Sequence, residues 1–201
     1  GFVLLSWGHA GWVYFFTRQP VATLSDLRKT KIWVWAGDEK NVQLWKGQGY
    51  NPVPLAATDI LTGLQTGMID GLPTVPLGAL QLQWFHTANH MLDVGLAPLV
   101  GGLVITKQAW NRIPETDRPK ILAACKKAEA RLKTIIPDQD KTAIVEMKKR
   151  GLVVAHIKPE SMGEWRTQTE RFAAAMRGVI VPPEILDMAI RERDAYRKAH
   201  H

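Results

Sequence analysis

The chain is poor in cysteine, with Cys125 the only one among 201 residues. A single thiol closes no intrachain disulfide and leaves the redox compartment open. Cys125 falls at an apolar helical position, where a buried, inert thiol is expected. No stretch of eighteen apolar residues occurs, so no transmembrane helix is expected. The longest apolar candidate, residues 92–106, is interrupted by Pro98 and three glycines. The start, Gly1-Phe2-Val3-Leu4-Leu5, has neither a basic region nor a cleavage site, so it is not a signal peptide and reads as a strand entered mid-fold. Catalytic signatures are also lacking: no G-x-S-x-G, Walker loop, H-E-x-x-H or C-x-x-C. His86 and His90 have metal-ligand spacing for a helix, but no further ligand accompanies them and no metal site is expected. His200 and His201 read as purification-tag remnants.

Positive charge is in excess, with a formal net charge of +7. Its distribution argues against nucleic acid as the partner. The basic residues gather over residues 107–150, interleaved with Glu115, Asp117, Glu129, Asp138, Asp140 and Glu146. That pattern is the wet face of helices, and no nucleic-acid-binding motif accompanies it. At 46 % hydrophobic content the chain can bury a core.

Short strands and short helices alternate over residues 1–100. Apolar runs at 2–7 and 12–17 read as two strands parted by Gly8 and its neighbours. Thr23 or Ser25 caps a short helix, and residues 31–35 form a strand. Asp38 caps the next helix, residues 52–55 form a strand, and Thr58 caps a helix stopped by Gly67. Residues 68–72 form another strand. This alternation predicts a mainly parallel α/β sheet with flanking helices. From residue 101 the character changes. A strand precedes a long helix, with Ile121, Leu122, Cys125, Leu132 and Ile135 at helical spacing, and Pro137 should kink or break it. A strand at 152–157 and two amphipathic helices follow. The expected division is 1–100, a βαβ core with ligand-facing loops, and 101–201, a crossover strand, a long helix and C-terminal helices.

Tryptophan is abundant, with eight residues, as many as tyrosine and phenylalanine together. Trp45 and Trp84 suit helix core positions. Trp7, Trp12, Trp33 and Trp35 sit at strand ends and turns, where open α/β sheets bind ligands. Trp33 and Trp35, two apart, point to one side of their strand.

The order of segments resembles a known family. A helix at Leu24-Ser25-Asp26-Leu27 precedes the strand Lys31-Ile32-Trp33-Val34-Trp35. Then come Asn51-Pro52-Val53-Pro54-Leu55 and a helix carrying Leu64-Gln65-Thr66-Gly67, followed by Asp70-Gly71. Later, Val104-Ile105-Thr106-Lys107, Trp110 and Ile113-Pro114-Glu115 complete the series. This is similar to the DctP family, the solute receptors of TRAP transporters, over nearly the whole chain. The resemblance implies a type II periplasmic-binding-protein-like fold and a periplasmic receptor without cofactor that is no enzyme. It also implies a small organic solute held between two lobes, TRAP permease subunits as partners, and an N-terminal lobe and signal peptide beyond this chain. The family's clamp arginine falls at Trp33 and a second arginine near Val13, while the "D-G-Q-E-N-P" run becomes residues 70–76. An aromatic or largely apolar ligand, or an organic acid with such a body, is therefore expected. The candidate ligand contacts are Trp7, His9, Trp12, Trp33, Trp35, Ala57, Thr58, Pro73 and Thr74. The alternative is an interaction module of the same fold that forms a homodimer through its Trp-rich face.

Overall fold

Hydrophobic alternation and helix caps resolve into fifteen main elements in the computed structural model, which describes residues 1–200. In chain order these are β1 (Phe2–Thr17), α1 (Leu24–Lys29), β2 (Lys31–Trp35), α2 (Glu39–Gly47) and β3 (Asn51–Leu55). Next come α3 (Ile60–Thr66), β4 (Gly71–Thr74), α4 (Pro76–Gln81), β5 (His90–Leu92) and β6 (Ala97–Thr106). The series ends with α5 (Lys107–Asn111), α6 (Arg118–Lys149), β7 (Val153–Ala155), α7 (Met162–Met176) and α8 (Pro183–His200). His201, the last of the two histidines read as a tag remnant, lies outside the described residues. The result is a mixed α/β fold with flanking helices. It divides into two interleaved units: Gly1–Pro20 with Gly71–His156, and Val21–Asp70 with the chain from Ile157 onward. The division follows contacts, not the change of sequence character at residue 100.

In the first unit β1 is the organising strand. Sequence alone expects two strands there, ended and restarted at glycines. One sixteen-residue strand runs through instead. Its first part pairs antiparallel with β6, from Phe2↔Thr106 to Val13↔Ala97. Its last residues pair antiparallel with β4 and β5. The glycines do not end the strand: Gly8 stays in the ladder opposite Gly101, and Gly11 is absorbed in a register shift between His9 and Trp12, a second shift falling at Leu5. Gly11 takes φ +110°, a conformation that costs little only for glycine. β5 and β7 pair in parallel. The strand expected at residues 68–72 is displaced to Gly71–Thr74. Gly67 turns left-handed at φ 72° and leaves Met68 exposed, and the chain regains a strand only where Gly71 fits against β1. A Cβ there would meet the Phe16 carbonyl oxygen at 2.7 Å. Phe15, Phe16, Leu72, Phe85, Met91 and Met147 are buried and make this unit's core.

Helix α6 does not break at Pro137; it runs 32 residues through it. The helix is fastened on both sides of the proline, by Cys125 before it and by Ile136, Ala143 and Met147 around and after it, all buried. That burial outweighs a proline's interior cost of about 3 kcal/mol.

The second unit contains the parallel pair expected from sequence, β2 with β3, from Lys31↔Asn51 to Trp35↔Leu55. Thr23, not Ser25, is the first cap, in a reciprocal box with Asp26. The hydrogen bond from Thr23 is the main cause holding the Asp26 carboxyl below its ordinary pKa. Asp38 caps α2 as expected. Trp45 packs edge-on against Tyr50 and Phe172, with centroids 5.2 and 5.0 Å away, which fixes α7 on α2. Gln168 is buried between Arg28 and Gln48, each at 3.3 Å. No helix is long and apolar enough to cross a membrane among the described residues.

Candidate functional site

The nine candidate residues fall in both units. Trp7, His9, Trp12, Pro73 and Thr74 belong to the first, and Trp33, Trp35, Ala57 and Thr58 to the second. In the first unit β1 carries three of them along one strand. Trp7 is 55 % and Trp12 48 % exposed, so neither is a core tryptophan. Trp12 leans on Gly95, where a Cβ would come within 3.2 Å of the indole. His9 lies between them, and its Nδ1 is buried without a hydrogen-bond partner. Pro73 and Thr74 pair with Phe15 and Tyr14 of β1, so this strand brings all five residues into one sheet. Burial pushes the Tyr14 phenol up, and the nearby Asp93 and Asp140 charges push it further.

In the second unit Trp33 and Trp35 share a side of β2, as their spacing requires. Their rings meet edge to face with centroids 4.8 Å apart. Their exposure differs sharply. Trp33 is only 6 % exposed and its Nε1–H donates to the Leu55 carbonyl at 3.0 Å. Trp35 is 57 % exposed. An indole has one donor, so Trp33 has none left for a ligand, and the open aromatic face of β2 belongs to Trp35. The strand is held at its start by Asp70, which accepts from the Lys31 N–H at 3.3 Å and pairs with its ammonium at 3.7 Å. Thr58 does not cap α3. It lies inside a 3-10 turn, Ala57–Asp59, and its hydroxyl donates to Asp59 Oδ1 at 3.2 Å. Ala57 and Thr58 are both exposed.

Sequence reasoning missed Asp140. This carboxylate of α6 is 8 % exposed. It accepts from the Leu77 N–H at 3.2 Å, and it sits against the backbone next to Trp12, where a Cβ on Gly11 would stand 2.2 Å from its Oδ2. An aspartate amid apolar helix residues was the available signal, and it read as part of a solvated charged face. His86 and His90 stand on a 3-10 turn and on β5, not on one helix. No group of three or more potential metal ligands occurs among the described residues. Two surface depressions, one between α4 and α6 and one between α2 and the end of α7, contain none of the nine candidates.

This is the periplasmic-binding-protein type of α/β fold, with aromatic residues presented from strands in each unit. The chain belongs to the DctP family, bacterial extracellular solute-binding protein family 7, whose profile matches residues 1–177. A solute-binding protein of Chromohalobacter salexigens is 28 % identical over 127 residues, covering 63 % of this chain and 38 % of that one. A TRAP periplasmic solute-binding protein of Shewanella oneidensis, solved with succinate, superposes with TM-score 0.85 at 20 % identity, covering 95 % of this chain and 62 % of that one. Another from Desulfovibrio salexigens, solved with orotic acid, gives TM-score 0.83 at 16 % identity, with coverages of 98 % and 63 %. The chain thus spans under two thirds of the length of these relatives.

Proposed function

We propose that this protein is the extracytoplasmic receptor of a TRAP-type secondary transporter, working in the periplasm. It binds a small organic solute and delivers it, untransformed, to the membrane permease. Family membership supports the receptor role. The ligand has a substantial aromatic or apolar body and, in keeping with the acids bound by the two solved relatives, carries a carboxylate. The observation that carries the ligand class is the indole of Trp35, open on one side and braced edge-on by buried Trp33. A flat ring stacked on Trp35 would gain about 0.5–1.5 kcal/mol beyond its area burial. Backbone N–H groups or His9 would hold the carboxylate. Trp7, Trp12, Ala57, Thr58, Pro73 and Thr74 complete the proposed contacts.

Calorimetry on the full-length gene product, titrated with orotate and with succinate, tests this reading. Orotate is expected to bind more tightly, and Trp35→Ala to weaken it about tenfold, or 1.4 kcal/mol. Tight succinate binding that Trp35→Ala leaves unchanged, with orotate ignored, overturns the ligand class. The second reading, an interaction module pairing through its Trp-rich face, draws on the exposed apolar side chains of β1 and β6. It would be favoured by a stable dimer that binds neither acid.

A further inference from the structure

We infer that α6 is the positioning element for the two open tryptophans of β1, with Asp140 and Glu129 as the positioning residues that hold the Trp12 and Trp7 backbone. The inference rests on the receptor reading for its functional meaning, since it assigns no new ligand contact. It names what places two of the proposed ones.

The geometry repeats along the strand. Glu129 Oε2 accepts from the Trp7 N–H at 3.4 Å. Leu132 lies under Gly8, where a Cβ would approach its Cδ1 to 4.0 Å. Asp140 is seated against β1 at Gly11, with Oδ2 2.2 Å from where a Cβ would stand, and the Trp12 N–H beside it stabilises its charge. Glu129 and Asp140 are eleven residues apart, about three helical turns and about 17 Å of rise. Trp7 and Trp12 are five residues apart, about 17 Å of extended strand. Helix and strand therefore run in step, and two carboxylates on one helix face reach two N–H groups of β1. Both lie beside the irregularities in the β1–β6 register, where a strand's own ladder is least able to fix its backbone.

Asp140 does more than accept one bond. It also takes the Leu77 N–H at 3.2 Å, in the first turn of the helix that follows Pro73 and Thr74. One buried carboxylate thus ties together both chain segments that carry the first unit's candidates. Gly11 shows how closely it is fitted. A Cβ at that position would stand 2.2 Å from Asp140 Oδ2, so the bulge admits the carboxylate only because residue 11 has no side chain.

The two carboxylates have opposite electrostatic surroundings. Burial raises the Asp140 pKa, against the Leu77 and Trp12 hydrogen bonds and the neighbouring His9. The hydrogen bond from Lys133, 3.1 Å away, lowers that of Glu129. The groups facing Asp140 are few. β1 brings His9 and Tyr14, α4 has no titratable side chain, and on α6 the adjacent Asp138 and Lys141 pair with each other at 3.7 Å. Asp93 acts on Tyr14 from the loop after β5.

The test is a nitrogen-15 NMR titration of the ligand-free protein from pH 7 to 3, following the Trp7, Trp12 and Leu77 amides. Trp12 and Leu77 are expected to shift with one common midpoint, set by Asp140, and Trp7 with a midpoint of its own, set by Glu129. In Asp140→Asn the common step vanishes while the Trp7 step remains, and the Trp12 amide exchanges with solvent at least tenfold faster. In Glu129→Gln the reverse holds. A merely structural role for α6 would not let each substitution remove one step and leave the other. Independent titration of Trp12 and Leu77 overturns the inference, as does an Asp140→Asn protein in which their common step persists. The wild-type titration is sufficient for that outcome if a variant fails to fold. The consequence for binding is read separately. Asp140→Asn should lose about tenfold in calorimetric affinity for orotate. If the wild type binds no orotate, the ligand reading falls while the titration still decides the positioning role.

Discussion

Trp33 and Trp35 stand two residues apart on β2 and have different roles. The period of a strand places both on one side, but only packing decides which is covered. Trp33 is buried with its single donor spent on Leu55, so its contribution is to stability and to holding Trp35. Trp33→Phe should cost about 1 kcal/mol, the usual worth of one neutral hydrogen bond, with ring packing largely kept. Trp33→Arg would bury a guanidinium with no partner placed for it and should cost roughly 3 kcal/mol or more. Urea denaturation of the two variants checks both figures. Asp140 gives a pH dependence of defined sign. Its folded pKa is raised by burial, so the folded state holds this proton more tightly than the unfolded chain does. The associated stability is fully present below the unfolded carboxylate pKa and is lost as pH rises through the folded one. The stability of wild type relative to Asp140→Asn should therefore increase on acidification through that window. A difference that is flat with pH, or that shrinks on acidification, would contradict the assignment. Asp26, whose pKa is lowered chiefly by the Thr23 hydrogen bond, has the opposite sign. Its contribution is present above the unfolded pKa and is lost as pH falls through the folded one.

At the scale of elements, β1 marks the limit of what local sequence specifies. Glycine inside an apolar run signals either a turn or a bulge, and nothing local separates the two at Gly8 and Gly11. The distinction is made from residues far along the chain, by β6 on one edge and by Asp140 of α6 pressed against Gly11. Pro137 is a similar case. Its local cost is real, yet burial on both sides carries α6 through it. What was legible rested on local chemistry: the Asp38 cap, the left-handed Gly67 and the parallel β2–β3 pair joined through a helix. Of the four tryptophans read as standing at strand ends and turns, Trp35 is exposed at the end of β2, Trp33 is buried, and Trp7 and Trp12 are exposed from within β1 and not from a turn. Their supports were not legible, since a backbone N–H bound by a distant carboxylate leaves no periodic trace. Gly11→Ala tests the bulge directly. The substitution meets both a positive φ and a 2.2 Å approach to Asp140. It should cost more than the roughly 1 kcal/mol of a strained φ alone, and part of that excess should disappear in an Asp140→Ala background. Additive losses across this double-mutant cycle would show that the carboxylate does not sense residue 11.

For the whole molecule, the apolar surface on β1 and β6 is the property with the largest expected consequence. Phe2, Leu4, Trp7, Leu99, Val100, Leu103 and Val104 are all exposed, at 45–66 %. Leu4, Trp7 and Val104 gather on one face of the ribbon, 3.1, 3.8 and 3.7 Å from where a Cβ on Gly102 would stand, and Leu103 lies on the opposite face. Isolated exposed apolar residues are ordinary, but a contiguous group of this kind on a paired ribbon favours association in water. Among the described residues β6 pairs with β1 alone, and its other edge adds a template for further strand pairing. The 201-residue chain by itself is therefore expected to self-associate as its concentration rises, and Leu4→Lys with Val104→Lys, opposite each other in the ladder, should shift it toward monomer. Sedimentation velocity over a roughly hundredfold concentration range measures this, with acrylamide quenching of tryptophan fluorescence as a second readout. Association that covers the ribbon should reduce quenching of Trp7 while leaving Trp35, on β2, accessible. A monomer at every concentration, or an oligomer that the two lysines leave intact, would mean that these side chains drive no contact between copies. If the lysine variant is monomeric and still binds orotate as the wild type does, association and solute capture are separate properties of the chain, and the receptor reading stands without a dimer.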